Sequence, residues 1–147
     1  MTKKTNFLRR FRKLIAVACA IAWLCAFAAS HAPLKRLPAN LPSDKLLHFV
    51  GFLVLAGLLW LTFAAFGLTT ARRLVLAVSI SATYAAFDEL TQDLVGRNTS
   101  LDDWIADMAG ALAAIAACES AMLLGRLIAR RGKNQTRRRL SLRTKAR

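Results

Sequence analysis

The sequence predicts an all-α protein, a four-helix transmembrane bundle with short loops and a basic C-terminal tail. Composition and its segregation predict it. Of 147 residues 56% are hydrophobic, yet 22 Lys and Arg stand against 8 Asp and Glu, a formal net charge of +14. A soluble domain is about 45–50% apolar, so the two kinds of residue must occupy different segments, and they do. A disordered polycation could not hold so many Leu, Ala and Phe. A basic nucleic-acid-binding domain would spread its charges over a folded surface and interleave them with aromatic residues, and no such pattern is present. No nucleic-acid partner is expected.

The basic residues fall in blocks: Lys3 to Lys13, Lys35 to Lys45, Arg72-Arg73, the single Arg97, and a run from Arg126 to Arg147. Between them lie the apolar stretches Leu14–Ala29, Leu46–Leu68, Leu74–Phe87 and Trp104–Leu124. Stretches two and four reach the roughly 20 residues that a helix needs to cross a hydrocarbon core. The other two become long enough if Lys13 snorkels and the third runs on to Thr91. The expected helices are therefore 14–30, 46–68, 74–91 and 104–124. They form a membrane domain over 14–125, between a basic N-terminus (1–13) and a basic, disordered tail (126–147). Leu53–Phe66 offers only Thr62 as a polar side chain, so the second helix has no face for water.

Positive charge sets the orientation. With both termini cytoplasmic, the inner face collects both terminal blocks and Arg72-Arg73. The outer face collects only Lys35, Arg36, Lys45 and Arg97. The first stretch has a rival reading, since a basic start, an apolar run and Ala26-Phe27-Ala28 also suit a cleavable signal peptide. Ser30–Ser43 holds all three prolines and reads as an extended outer loop. Cys19, Cys25 and Cys118 all lie in spans, and their odd number opposes a disulfide framework or a metal site. The tail suits contact with anionic lipid headgroups, at about 1 kcal/mol per basic residue near the surface.

Polar residues at the ends of apolar spans are costly unless they face protein or a wet cavity. Three clusters stand out, all on the expected outer face. In Ser43-Asp44-Lys45-Leu46-Leu47-His48, Asp44 and His48 are four apart and share a helix face. The carboxylate can cap the helix or orient the imidazole. In the second cluster, Glu89 and Gln92 are three apart at the end of the third helix, after Tyr84 and Asp88. The third cluster starts at Arg97 and places Asp103, Asp107, Gly110 and Ala114 on one stripe of the fourth helix. Ala106, Gly110 and Ala114 also permit close helix packing.

Asp44-Lys45-x-x-His48, Glu89-x-x-Gln92, Arg97, Ser100-Leu101-x-Asp103 and Asp107-x-x-Gly110, in that order, resemble the VanZ-like family over about residues 41–117. Two positions depart from its pattern: Asp107 stands where Asn is common, and Val95 where Pro is frequent. The resemblance implies a small polytopic protein of the bacterial cytoplasmic membrane. It also implies a link to envelope or glycopeptide (teicoplanin-type) resistance, from the member that names the family.

Several functional readings follow. In the first, an outward-facing pocket of Asp44, Lys45, His48, Glu89, Gln92, Arg97, Asp103 and Asp107 binds an envelope lipid or cell-wall intermediate, with Lys45 and Arg97 holding an anionic group. In the second, the pocket is an enzyme site with His48 or Glu89 as general base, and Asp103 and Asp107 as ligands of a hard divalent ion. No nucleophile motif or His-rich metal signature accompanies it. The third is structural: the polar residues pin helix ends together and function lies in partner binding. A proton-coupled transporter ranks last, because no acid falls mid-span. No resident metal or cofactor is expected, and the oligomeric state is left open.

Overall fold

The computed structural model describes residues 8–32, 43–96 and 99–145, with side chains through residue 135. Of the expected outer loop Ser30–Ser43, residues 33–42, with all three prolines, lie outside the described residues, and Ser30 ends the first helix. Four long helices follow in order: α1 (Arg12–Ser30), α2 (Asp44–Phe66), α3 (Thr70–Gln92) and α4 (Leu101–Lys145). A single 3-10 turn, Asp93–Val95, follows α3. No strand occurs among the described residues. Each helix has a stretch long and apolar enough to cross a membrane.

The first compact unit ends at Ile115. Within it α1 packs on α2, and α2 on α3. The spacing of buried residues explains why. On α2 they include His48, Phe52, Leu55 and Leu59, a stripe at intervals of three and four, flanked by Ala56 and Trp60. On α3 they fall almost every fourth residue: Arg73, Ala77, Ser81, Ala85, Asp88 with Glu89, and Gln92. Ala77, Ser81 and Ala85 are completely buried, so small side chains carry the close part of that stripe. The opposite faces present large apolar groups outward, among them Leu24, Val54, Val75, Phe87 and Leu90. Apolar surface on that scale is what lipid covers in a membrane protein.

Helix ends follow local chemistry. Ser43 precedes α2 without a side-chain cap bond; its carbonyl instead accepts from Leu46 and Leu47 at 2.9 and 3.1 Å. Asp44, in the first turn, complements the helix dipole. At the other end Gly67 takes φ 81°, a left-handed conformation that glycine adopts without strain, and Leu68 N–H closes back on the Phe63 carbonyl at 3.1 Å. Thr69 caps α3, its hydroxyl accepting from Arg72 N–H at 3.4 Å. Thr69→Ala should cost about 0.5–1 kcal/mol, read as a small drop in the thermal midpoint in detergent.

Two boundaries differ from the sequence reading by more than three residues. The third helix starts at Thr70, so Arg73, expected in an inner loop, lies within α3 and is 2% exposed. Its guanidinium stacks on Trp60, 4.7 Å from the ring centroid, and donates to the Leu68 carbonyl at 3.2 Å and Thr70 Oγ1 at 3.3 Å. The turn folds around this cation. The second difference is α4, expected to end at Leu124 before an irregular tail; the helix runs on to Lys145. That segment is rich in Arg, with Leu at three positions, and has no proline to break the helix. In this second unit, from Ala116 onward, Arg126 donates to the Met122 sulfur at 3.1 Å one turn earlier.

Candidate functional site

The three polar clusters meet in the first unit. His48 sits one turn into α2, and its position on the buried stripe turns the imidazole inward. Asp107 lies on the first turns of α4, three residues before Gly110, which the backbone of α2 approaches closely. A Cβ at Gly110 would collide with the Phe49 carbonyl, lying 2.9 Å from its carbon and 3.1 Å from Leu53 N. With helices this close, His48 Nδ1 and Asp107 Oδ1 form a buried hydrogen bond of 2.9 Å. Glu89, from the end of α3, brings Oε1 to 3.7 Å from the same nitrogen. Its other oxygen accepts from Ser100 N–H at 2.9 Å, and Thr99 Oγ1 donates to its carbonyl at 3.1 Å. The segment entering α4 thus holds Glu89 in place. Asp44 Oδ1 lies 4.0 Å from His48 Nε2.

The remaining predicted residues take other places. Lys45 is exposed and pairs with Asp102, away from the buried cluster. Asp103, half-buried at the start of α4, takes its backbone N–H to Ser100 Oγ at 3.3 Å. It also offers a carboxylate oxygen near Asp44 and His48. Gln92, read beside Glu89, instead donates to Asp88 Oδ2 at 2.9 Å. Arg97 lies outside the described residues.

A second polar group is one the sequence reading left out. Ser30, the last residue of α1, donates to Asp88 Oδ1 at 2.7 Å. His31 Nδ1 lies 2.9 Å from the Phe27 carbonyl, and its Nε2 is 3.0 Å from Thr91 Oγ1. The rings of Phe27 and His31 are 4.0 Å apart, and Phe27 stacks on Phe87 at 5.9 Å. Together these contacts clasp the end of α1 to the end of α3. The only signal in the sequence was Ser30-His31 directly after an apolar run. Ser30 Oγ also lies 3.0 Å from His31 Nδ1, and that nitrogen is 3.8 Å from Asp88 Oδ1, so the hydroxyl, the imidazole and the carboxylate share one small cluster.

Between α1, α2 and α3 lies a cavity of about 340 Å³. Ser30, Asp44, His48 and Asp88 supply polar groups, while Ala26, Leu47, Phe52 and Leu55 supply apolar ones. Tyr84 also lines it; its hydroxyl donates to the Trp23 carbonyl at 3.4 Å and its ring packs 4.4 Å from Trp23. Asp44 and Leu55 are eleven residues apart on one helix, about 16 Å of rise. The cavity therefore extends from a charged helix end toward the hydrocarbon region.

In comparisons with known proteins, no curated protein and no solved structure matches the chain. One family model does match, VanZ/LLP1, over residues 6–124. That range takes in all four apolar segments and every polar residue of the site, and with the four membrane-length helices it makes this a multi-pass membrane protein. Matched over most of its length, the chain belongs to the VanZ/LLP1 family.

Proposed function

We propose that the protein binds an envelope lipid or lipid-linked cell-wall intermediate, with the polar end of the ligand among Ser30, Asp44, His48 and Asp88. The observation that carries this reading is the amphipathic cavity between α1, α2 and α3, polar at one end and lined by Leu47, Phe52 and Leu55 below. A ligand with a polar head and an apolar chain satisfies both ends; a small polar solute would leave the apolar wall wet. The charged groups lining the cavity are two carboxylates and an imidazole, so a head rich in hydroxyl or amino donors complements it best. This shifts the emphasis from an anion held by Lys45, which is engaged with Asp102 at the surface.

The distribution of Lys and Arg supports a topology with both termini in the cytoplasm and the cavity toward the outer leaflet of the bacterial cytoplasmic membrane, where envelope intermediates are found. The same distribution supports anionic headgroups as partners of the basic tail. An effect on teicoplanin-type resistance would follow from sequestering such an intermediate, and rests on the family likeness.

Gly51 provides the test. It lines the cavity, and a Cβ there meets no atom within 4 Å, so a larger side chain can enter without disturbing the helix contacts. Gly51→Leu should leave the thermal midpoint unchanged while lowering the amount of co-purified lipid about tenfold, the equivalent of about 1.4 kcal/mol. Mass spectrometry of lipids extracted from both proteins reads the result. An identical lipid profile in the two would sink the proposal.

A further inference from the structure

His48, Glu89 and Asp107 are three buried residues on three helices, and each directs one potential ligand atom to a common point. The three atoms all lie within 4.8 Å of one another. His48 Nδ1 is 2.9 Å from an Asp107 oxygen and 3.7 Å from a Glu89 oxygen. A tetrahedral ion with bonds of about 2.0–2.1 Å holds its ligand atoms about 3.3 Å apart, between those two distances. Small side-chain adjustments would convert this cluster into a coordination shell.

Independent of that geometry, two carboxylate oxygens in the cluster have no hydrogen-bond partner. They are Glu89 Oε1 and Asp107 Oδ2. Asp107 is fully buried and Glu89 is 3% exposed. Bare carboxylate oxygens in a water-poor interior are costly unless a donor or cation meets them. Among the described residues, His48 is the only basic group paired with either carboxylate, and it carries a charge only when protonated. One imidazolium does not balance two carboxylates.

We infer that His48, Glu89 and Asp107 form a binding site for a divalent first-row transition cation of the Zn²⁺ or Mn²⁺ class. Two carboxylates and one imidazole suit such an ion, whereas Ca²⁺ takes six to eight oxygens. On binding, the proton between His48 Nδ1 and Asp107 is released to solvent, or passes to Nε2 if the ring starts neutral, and Nδ1 ligates through its lone pair. Nε2–H then faces Asp44, the carboxylate–histidine–metal arrangement that steadies many metal sites. Ser100 N–H fixes the second Glu89 oxygen and leaves Oε1 to the ion. The site departs from the metal-free expectation drawn from the sequence, because the ligands come from three segments and share no spacing motif. His48 also lines the cavity, which sets the ion behind the wall of the lipid site. The inference does not depend on what fills that cavity.

Chelator-treated full-length protein in detergent should bind an equimolar amount of Zn²⁺ by calorimetry, with Co²⁺ producing a visible absorption band and excess Ca²⁺ displacing neither. His48→Ala, Glu89→Gln and Asp107→Asn should each weaken Zn²⁺ binding by about 10–100-fold, and Asp44→Asn by about tenfold. Circular dichroism and gel filtration check that each variant is folded. The two near-isosteric substitutions, Glu89→Gln and Asp107→Asn, guard against simple loss of the fold. A folded wild type that binds neither ion overturns the site, as does Zn²⁺ binding unchanged in both isosteric variants. Co-purified lipid measured on the same samples separates the two proposals. Lipid lost in Gly51→Leu with Zn²⁺ binding intact supports both, while unchanged lipid leaves the metal result to stand or fall alone.

Discussion

Gly110→Val should abolish accumulation of folded protein, and even Gly110→Ala should lower the thermal midpoint sharply. The backbone of α2 passes so close to Gly110 that a Cβ would overlap the Phe49 carbonyl group and press on Leu53 N. The obstacle is main chain within a helix, so it cannot swing aside as a side chain would. The helices must separate, and separation removes packing along the whole α2–α4 contact. Overpacking at a site that relaxes poorly costs about 3 kcal/mol or more, enough to unfold a marginal domain. Gly125→Ala is the control. A Cβ there meets nothing within 4 Å, and exchanging Gly for Ala in a helix gains a few tenths to about 1 kcal/mol. Expression level with thermal unfolding in detergent reads both variants. Equal stability of Gly110→Ala and wild type would refute the close approach.

Arg73→Ala should be nearly as damaging. The guanidinium is buried over Trp60 and hydrogen-bonds to Leu68 O and Thr70 Oγ1, so it fills the turn between α2 and α3 and satisfies a carbonyl at the end of α2. A desolvated cation–π contact contributes up to about 2 kcal/mol, and each hydrogen bond from a charged group about 1.5–3. These are not additive; about 3 kcal/mol is the expected loss. Arg73→Lys keeps the charge but has neither the planar face nor the forked donors, so it should recover less than half of that loss. If Arg73→Lys matches wild type in a thermal scan, the turn needs a charge there and not a guanidinium.

Much of the fold was legible. Four apolar segments between basic blocks marked four helices, and Gly110 in a small-residue stripe marked a close helix contact. Phe49 as its partner was not legible, because α2 is apolar on every side and nothing in its letters says which face meets α4. The site was legible as a set of residues more than as contacts. Asp44 and His48 at a spacing of four share a face, and they remain neighbours in the structure. His48 with Asp107 is a tertiary pairing across 59 residues, beyond any local pattern. Gln92 has two acids within one turn, Asp88 at four and Glu89 at three; the spacing suits Glu89 as well as Asp88, and the fold turns it to Asp88. Ser30 and His31 escaped notice since a polar pair after an apolar run ordinarily marks where a helix leaves the membrane. Arg73 was misplaced for a similar reason. A basic pair between apolar runs reads as a loop, and contacts such as the Trp60 ring and the Leu68 carbonyl, which make one member of it worth burying, exist only in the fold.

The location of the polar residues at helix ends has a consequence for biogenesis. His48 emerges from the ribosome 59 residues before Asp107, and Ser30 emerges 58 before Asp88. At about 5–20 residues per second, each waits about 3–12 s for its partner. A histidine or carboxylate stranded mid-bilayer for that interval would oppose insertion of its own helix. Near the ends, these groups can stay hydrated while one helical hairpin enters and the next is still being made. The Ser30–Asp88 contact can close once α3 is in place, whereas His48 and Glu89 meet Asp107 only on completion of α4, so that cluster comes into existence as the last step of assembly.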